Sequence, residues 1–172
     1  MDEPILERED PQLSELFGPE HVLPELQATD QKTVIEEIVA FVSAKGLVAD
    51  AKWLEASLRA RERMVPTAMP NGVAFLHARH RAPEKFPRQF LALARSSKGV
   101  PFGSPDDKPT HLFFLLGLRR DQAHLRWLAR LSWICRRRAT VANLLQAKDA
   151  EDIVRHMVMA VEELPGNLKI RG

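Results

Sequence analysis

The chain predicts an α/β fold, a mixed β-sheet flanked by helices on both faces in three layers. Helical patterns of apolar residues come first, at 31–45 and 51–63. Short apolar runs follow at 73–76, 89–94 and 110–118, set off by Gly and Pro. Further helical patterns close the chain at 122–138, 140–147 and 150–164. Helices grouped before and after a set of strands can cover both faces of one sheet, and 172 residues suffice for one domain with a real core.

Taken in order, residues 1–11 are charged, include Pro4 and Pro11, and show no period. They read as a mobile acidic arm whose removal should leave the melting temperature nearly unchanged. The packed domain is expected over 12–164, beginning with Leu13, Leu16 and Phe17, with 165–172 as a tail. A short strand is expected near Val22, interrupted by Pro24. Asp30 suits the N-cap of the first long helix, in which Val34, Ile38 and Val42 form a stripe widened by Ile35 and Val39. Gly46 closes that helix. Asp50 suits the second N-cap, and Trp53, Leu54 and Leu58 face inward.

Asn71-Gly72 is a turn signal opening the buried strand Val73–Leu76, so His77 falls at or just past its C-terminal end. The nearly unbroken apolar run at 110–118 predicts a strand buried on both faces, with His111 structural at its entry. In the next helix Asp121 is the expected cap, and Leu125, Leu128, Leu131 and Ile134 the expected inner stripe. Trp127 and Trp133 would flank that stripe, with Arg126, Arg130 and Arg136 to Arg138 toward solvent. Asp149 suits the cap of the last helix, whose inner face is Ile153, Val154, Met157, Val158 and Val161; His156 lies beside it as a structural residue.

Composition narrows the function classes. No apolar run reaches the roughly 18 residues of a membrane span, and the acidic start Met1-Asp2-Glu3-Pro4 lacks the pattern of a signal peptide. The single cysteine, Cys135, excludes an internal disulfide framework, suits a reducing compartment and reads as a buried small residue. The net charge is +2, but residues 1–30 carry nine acidic residues and one arginine. Residues 77–138 carry fourteen Lys/Arg against four Asp/Glu. That asymmetry predicts a basic docking face or an acidic arm lying on a basic body.

The most informative stretch runs from Arg59 to Arg81. It begins as a basic helix end, passes through a loop with Pro66 and Pro70, enters the strand, and leaves at His77 among Arg79, His80 and Arg81. Ligands and reactive groups collect at such strand ends in helix-covered sheets. Arg61, Glu62, Thr67, Asn71, Gly72, Ala74 and His77, with apolar Val73 and Phe75, resemble a known segment. It is the active-site segment of the type-2 enzyme IIA domains of the bacterial phosphotransferase system. That family has fructose, mannitol and nitrogen-regulatory members and a pattern close to R-E-x-x-G-S-T-G-I-G-N-G-I-A-I-P-H-G. Downstream, His124-Leu125-Arg126-Trp127-Leu128 is similar to the family's H-L-x-x-L at the start of the helix after the long apolar strand. The resemblance covers roughly residues 12–163.

The resemblance implies that His77 accepts a phosphoryl group at Nε2 from the phosphocarrier HPr or its nitrogen-branch equivalent. It implies that His124 and Arg61 stabilise that group, with Thr67, Asn71 and Gly72 as loop support, and that no metal or cofactor takes part. Imidazole is a nucleophile partly unprotonated at neutral pH. Arginine offers a fork of donors to phosphoryl oxygens, and a histidine near a helix N-terminus is biased to its neutral, donating form. The expected protein is a cytoplasmic phosphohistidine phosphotransferase component. It would serve a regulatory target protein or a permease subunit, with nitrogen or metabolic regulation favoured because no transporter sequence accompanies it. A homodimer is left open.

Other readings compete. Val65, Pro66, Ala68 and Pro70 replace the family's loop glycines and serine, and Leu76 and Ala78 replace the residues flanking the histidine. Proline removes backbone donors, so a non-catalytic regulatory module that keeps the fold is the alternative. Arg61 alone would pass as a solvated arginine matched to the helix dipole. A metal site on His77, His80 and His124 is disfavoured because no cysteine or carboxylate completes a ligand set. Nucleic-acid binding through Arg136-Arg137-Arg138 is also disfavoured, since no recognised binding motif accompanies the run.

Overall fold

The computed structural model describes residues 9–171. Its strands are β1 (Val22–Leu23), β2 (Ala68–Met69), β3 (Val73–Leu76), β4 (Phe90–Val100) and β5 (Thr110–Gly117). They form one mixed sheet in the order β1-β4-β5-β3-β2. β3 and β5 pair in parallel, as do β1 and β4, while β4 with β5 and β2 with β3 are antiparallel. The helices are α1 (Leu13–Leu16), α2 (Gln31–Ala44), α3 (Ala51–Met64), α4 (Asp121–Arg136), α5 (Arg138–Gln146) and α6 (Ala150–Glu162).

Strand side chains alternate between faces, and that period divides the core in two. Val73, Phe75, Leu112, Phe114 and Leu116 join a core with α1, α4, α5 and α6. Ala74, Leu76, Phe113 and Leu115 join a second core with α2 and α3. Helices therefore cover both faces, as expected. The caps Asp30, Asp50 and Asp149 each accept the backbone N–H three residues on. Among the described residues no helix is long and apolar enough to cross a membrane.

Four features differ from the sequence reading. The two-residue strand β2 was not anticipated, being too short to carry a period. β4 runs on to Val100, with a register irregularity between Arg95 and Val100. Asp121 is the first residue of α4 and Arg120 occupies the cap position without a side-chain bond. Asp121 instead forms an ion pair with Arg81.

The fourth difference is the phase of α4. Its buried face is Ala123, Trp127, Arg130, Leu131, Ile134 and Cys135, while Leu125 is 64% exposed. Arg130 was expected in solvent, yet its side chain is 2% exposed, because Asp10 meets it. Nη1 and Nη2 of Arg130 donate to the two Asp10 carboxylate oxygens at 2.6 and 2.8 Å. Nε of Arg130 donates to the Leu168 carbonyl at 2.7 Å, and the Arg171 N–H donates to Asp10 at 3.1 Å. Trp127 Nε1 donates to the Pro11 carbonyl at 3.1 Å. The packed chain thus reaches back to Asp10, two residues before the boundary expected at residue 12, and the tail is tied to α4. The expected arm otherwise falls on residues 1–8, outside the described residues.

Candidate functional site

β3 and β5 are parallel neighbours, so the segments after them emerge at one edge of the sheet. His77 follows β3 directly, and His124 lies in the first turn of α4, which follows β5. Their rings meet edge to face with centroids 5.2 Å apart. They line a cleft of about 300 Å³ with Ala78, Arg79, His80, Arg81, Phe86, Leu116 and Leu118. Arg79 is fixed by its N–H, which donates to Ser57 Oγ on α3 at 3.0 Å.

The last turn of α3 brings Arg61 to the same place. Its Nε donates to His77 Nε2 at 3.1 Å, and its Nη1 donates to the Val65 carbonyl at 2.6 Å. On the far side of the ring, His77 Nδ1 lies 2.9 Å from the Phe75 carbonyl. A guanidinium can only donate and a carbonyl can only accept. These partners therefore select one tautomer of His77, with the proton on Nδ1 and the lone pair on Nε2.

Electrostatics point the same way. Burial first, then the charges of Arg61 and Arg81, hold His77 below its ordinary value against the Phe75 carbonyl. Burial, His77 and Arg81 push His124 down to about 4, opposed by Asp121. Both rings are neutral at pH 7, and His124 keeps one ring N–H to donate.

The expected loop residues each have a definite contact. Thr67 N–H donates to Glu62 Oε2 at 3.0 Å, and its hydroxyl donates to Glu62 Oε1. The Asn71 side chain donates to the Cys135 and Arg136 carbonyls at 3.3 and 3.2 Å, closing the end of α4. Asn71 and Gly72 both have positive φ, 74° and 75°, and the Gly72 carbonyl accepts from His111 and Leu112. A Cβ on Gly72 would sit 3.3 Å from the Pro109 carbonyl oxygen. Thr67, Asn71 and Gly72 thus shape the β2–β3 turn, while His77 and His124 line the cleft and Arg61 meets His77 from α3. His80 is exposed at the rim. His111 Nδ1 lies 2.8 Å from the Ser96 carbonyl, away from the cleft. Among the described residues no group of three or more His, Cys, Asp or Glu is placed to hold a metal ion.

Two sets of contacts were not foreseen from the sequence. The Arg81–Asp121 pair ties the segment after β3 to the start of α4. Glu62 is 5% exposed although it is a charged residue in the last turn of an amphipathic helix. Its sequence signal was its match to the glutamate of the family's R-E pattern, which carried no role for it.

Comparison with known proteins matches this architecture. Residues 15–158 match the family model for the phosphoenolpyruvate-dependent sugar phosphotransferase system, EIIA 2. A nitrogen regulatory protein of Bradyrhizobium diazoefficiens is 30% identical over 145 residues, covering 82% of this chain and 91% of that protein. The fructose-specific EIIABC component of Bacillus subtilis is 26% identical over 144 residues, covering 83% of this chain. The chain spans only 22% of the length of that larger relative. Among solved structures, the mannitol enzyme IIA of Escherichia coli, in complex with phosphorylated enzyme IIB, superposes with a TM-score of 0.72. That match has 15% identity and covers 83% of this chain and 97% of the other. With most of its length matching the family model and its mixed sheet shared with the solved enzyme IIA, the chain belongs to the type-2 enzyme IIA family of the phosphotransferase system.

Proposed function

We propose that the protein is a phosphocarrier that accepts a phosphoryl group on His77 Nε2 from HPr or its nitrogen-branch equivalent. The observation that carries the reading is the tautomer of His77. Nδ1–H donates to Phe75, and the Nε2 lone pair accepts from Arg61, while His124 packs against the ring. In the transfer, that lone pair forms the new N–P bond. The donor's bond to phosphorus breaks, and its electron pair returns to the donor's imidazole nitrogen. The Nδ1 proton stays on His77, and the Phe75 carbonyl stabilises the positive ring that results.

Arg61 now occupies the lone pair of Nε2, so its guanidinium must move aside as the phosphoryl group arrives. It then donates to the phosphoryl oxygens, with the neutral ring N–H of His124 as a further donor. Exposed Val65 lies beside Arg61, and exposed Leu125 follows His124. They supply apolar contacts for a partner near a cleft lined by Arg79 and Arg81. The recipient is a regulatory target protein or an enzyme IIB-type subunit. Nitrogen or metabolic regulation is favoured by the likeness to a nitrogen regulatory protein over most of both chains. The lone Cys135, unpaired and buried, suits a cytoplasmic setting.

Incubation with phosphorylated HPr tests the proposal. The wild-type chain should gain one acid-labile phosphoryl group, and His77→Ala none. Label that persists in His77→Ala and vanishes in His80→Ala would move the acceptor to the rim. The second reading, a binding module without efficient transfer, is favoured by the loop. Pro66 packs against Gly103, where a Cβ would meet its ring at 2.9 Å, and Pro66 and Pro70 lack N–H donors for an anion.

A further inference from the structure

We infer that Glu62 is a positioning residue, holding the loop after α3 so that Arg61 stays aimed at Nε2 of His77. This rests on the reading of His77 as acceptor, but its geometry is independent of any transfer. Both Glu62 oxygens are taken by Thr67, one by its N–H and one by its hydroxyl. The Thr67 carbonyl accepts from the Phe75 N–H at 3.4 Å, and the Phe75 carbonyl accepts from His77. A continuous path of hydrogen bonds thus runs from a buried carboxylate, through the loop and the neighbouring strand, to the ring of the acceptor.

The path closes on itself through Arg61. That residue precedes Glu62 on α3, grips the Val65 carbonyl within the same loop, and donates to His77. The loop has Pro66 before Thr67 and Pro70 after Met69, so few backbone donors are available to fasten it. Glu62 takes up the donors the loop still has at Thr67, with two acceptors on a rigid helix. With the loop pinned there, the guanidinium can leave the lone pair and turn to an incoming anion without the backbone moving. Loss of the pin would let Val65 and Arg61 drift together.

The test reads the His77 imidazole directly, by nitrogen and proton NMR titration of the full chain. Arg61, Arg81 and His124 face that ring, and the two arginine charges help hold its pKa down. Burial raises the Glu62 carboxyl against its Thr67 bonds and Arg61, and any direct effect of removing its negative charge on the His77 pKa would be downward. Loss of Arg61's alignment would raise it, toward the ordinary imidazole value of about 6.5. The two effects have opposite signs. For Glu62→Ala the inference predicts an upward shift and weakening of the Arg61 to Nε2 hydrogen bond.

Thr67→Val changes no charge and removes one of the two donors, so it should shift His77 upward by less. Glu62→Gln keeps an acceptor in place and should preserve the Arg61 contact. In phosphoryl acceptance, Glu62→Ala should lower the rate about tenfold with little change in donor affinity, and Glu62→Gln should restore most of it. A downward or absent shift in both Glu62→Ala and Thr67→Val, with the Arg61 contact intact, would overturn the inference. If the wild-type chain takes no label at all, the acceptor reading fails while the titration still decides the role of Glu62.

Discussion

At the scale of single residues, the proposed carrier would work by holding two imidazoles neutral in a cationic surrounding. A half-buried ring beside a guanidinium loses its proton easily, which suits the roles proposed for His77 as nucleophile and His124 as donor. Removing one such donor from a developing charge typically costs about 3 kcal/mol. His124→Ala should therefore slow acceptance roughly a hundredfold and leave the acceptor competent. Arg61→Ala should act in the same direction, and steady-state labelling rates check both. His124 also predicts a pH effect on stability. Its folded pKa of about 4 lies below its unfolded value, so the unfolded chain binds more protons in that interval. Stability should fall as the pH drops from about 6.5 toward 4. His124→Ala should flatten that part of the profile in melting temperatures measured against pH, leaving the smaller contribution of His77.

At the scale of elements, the least anticipated feature is the clasp on α4. Burial alone would raise the Asp10 carboxyl, but hydrogen bonds from Arg130 and the Arg171 N–H, with the charge of Arg126, hold it below its ordinary range. The guanidinium of Arg130 also lies over Trp127, 5.0 Å from the ring centroid. Breaking one partner of a buried pair leaves the other charge stranded, at a cost of roughly 3–5 kcal/mol. Asp10→Ala, or deletion of residues 1–11, should thus lower stability by about 3 kcal/mol in denaturant unfolding. Deletion of residues 1–8 alone should leave it near the wild-type value. This pair was illegible in sequence because an arginine on a helix and an aspartate in a charged arm both read as solvated. Their partnership depends on tertiary contact across 120 residues. The inner stripe expected for α4 is present at Leu131 and Ile134 but not at its start, where Trp127 and Arg130 take the inner face and Leu125 faces out beside the site. By contrast, α2, α3 and the caps Asp30, Asp50 and Asp149 were legible, because local period and capping chemistry decide them; in α6 Ile153 and Met157 are buried as expected, but Val158, expected on the inner face, is 43% exposed. His77 was legible as a strand-end residue, because Asn71-Gly72 and Val73–Leu76 mark the turn and the strand. The meeting of Arg61, His77 and His124 rested on the family spacing, and the roles of Glu62 and Arg81 required the fold.

At the scale of the whole molecule, strand ends, helix starts and basic residues converge on one cleft at the sheet edge. Arg79 and Arg81 line it, and Arg126 follows on α4, whereas Arg130 is turned inward and takes no part. Reversing the charge of Arg79 and Arg126 together should slow association with an acidic or phosphorylated partner and weaken its salt dependence, without loss of fold. Tight binding to arbitrary duplex DNA at physiological salt would instead mark the basic surface as a nucleic-acid face. The proposed chemistry turns on a single nitrogen atom. The most direct measurement is NMR of the chain after exposure to phosphorylated HPr, with phosphorus coupling assigned to a ring nitrogen. The account predicts one phosphoryl group, bonded to Nε2 of His77, with Nδ1 still protonated toward the Phe75 carbonyl. A chain left unlabelled by a donor that labels another enzyme IIA, or a phosphoryl group on Nδ1 of His77 or on His80, would contradict it.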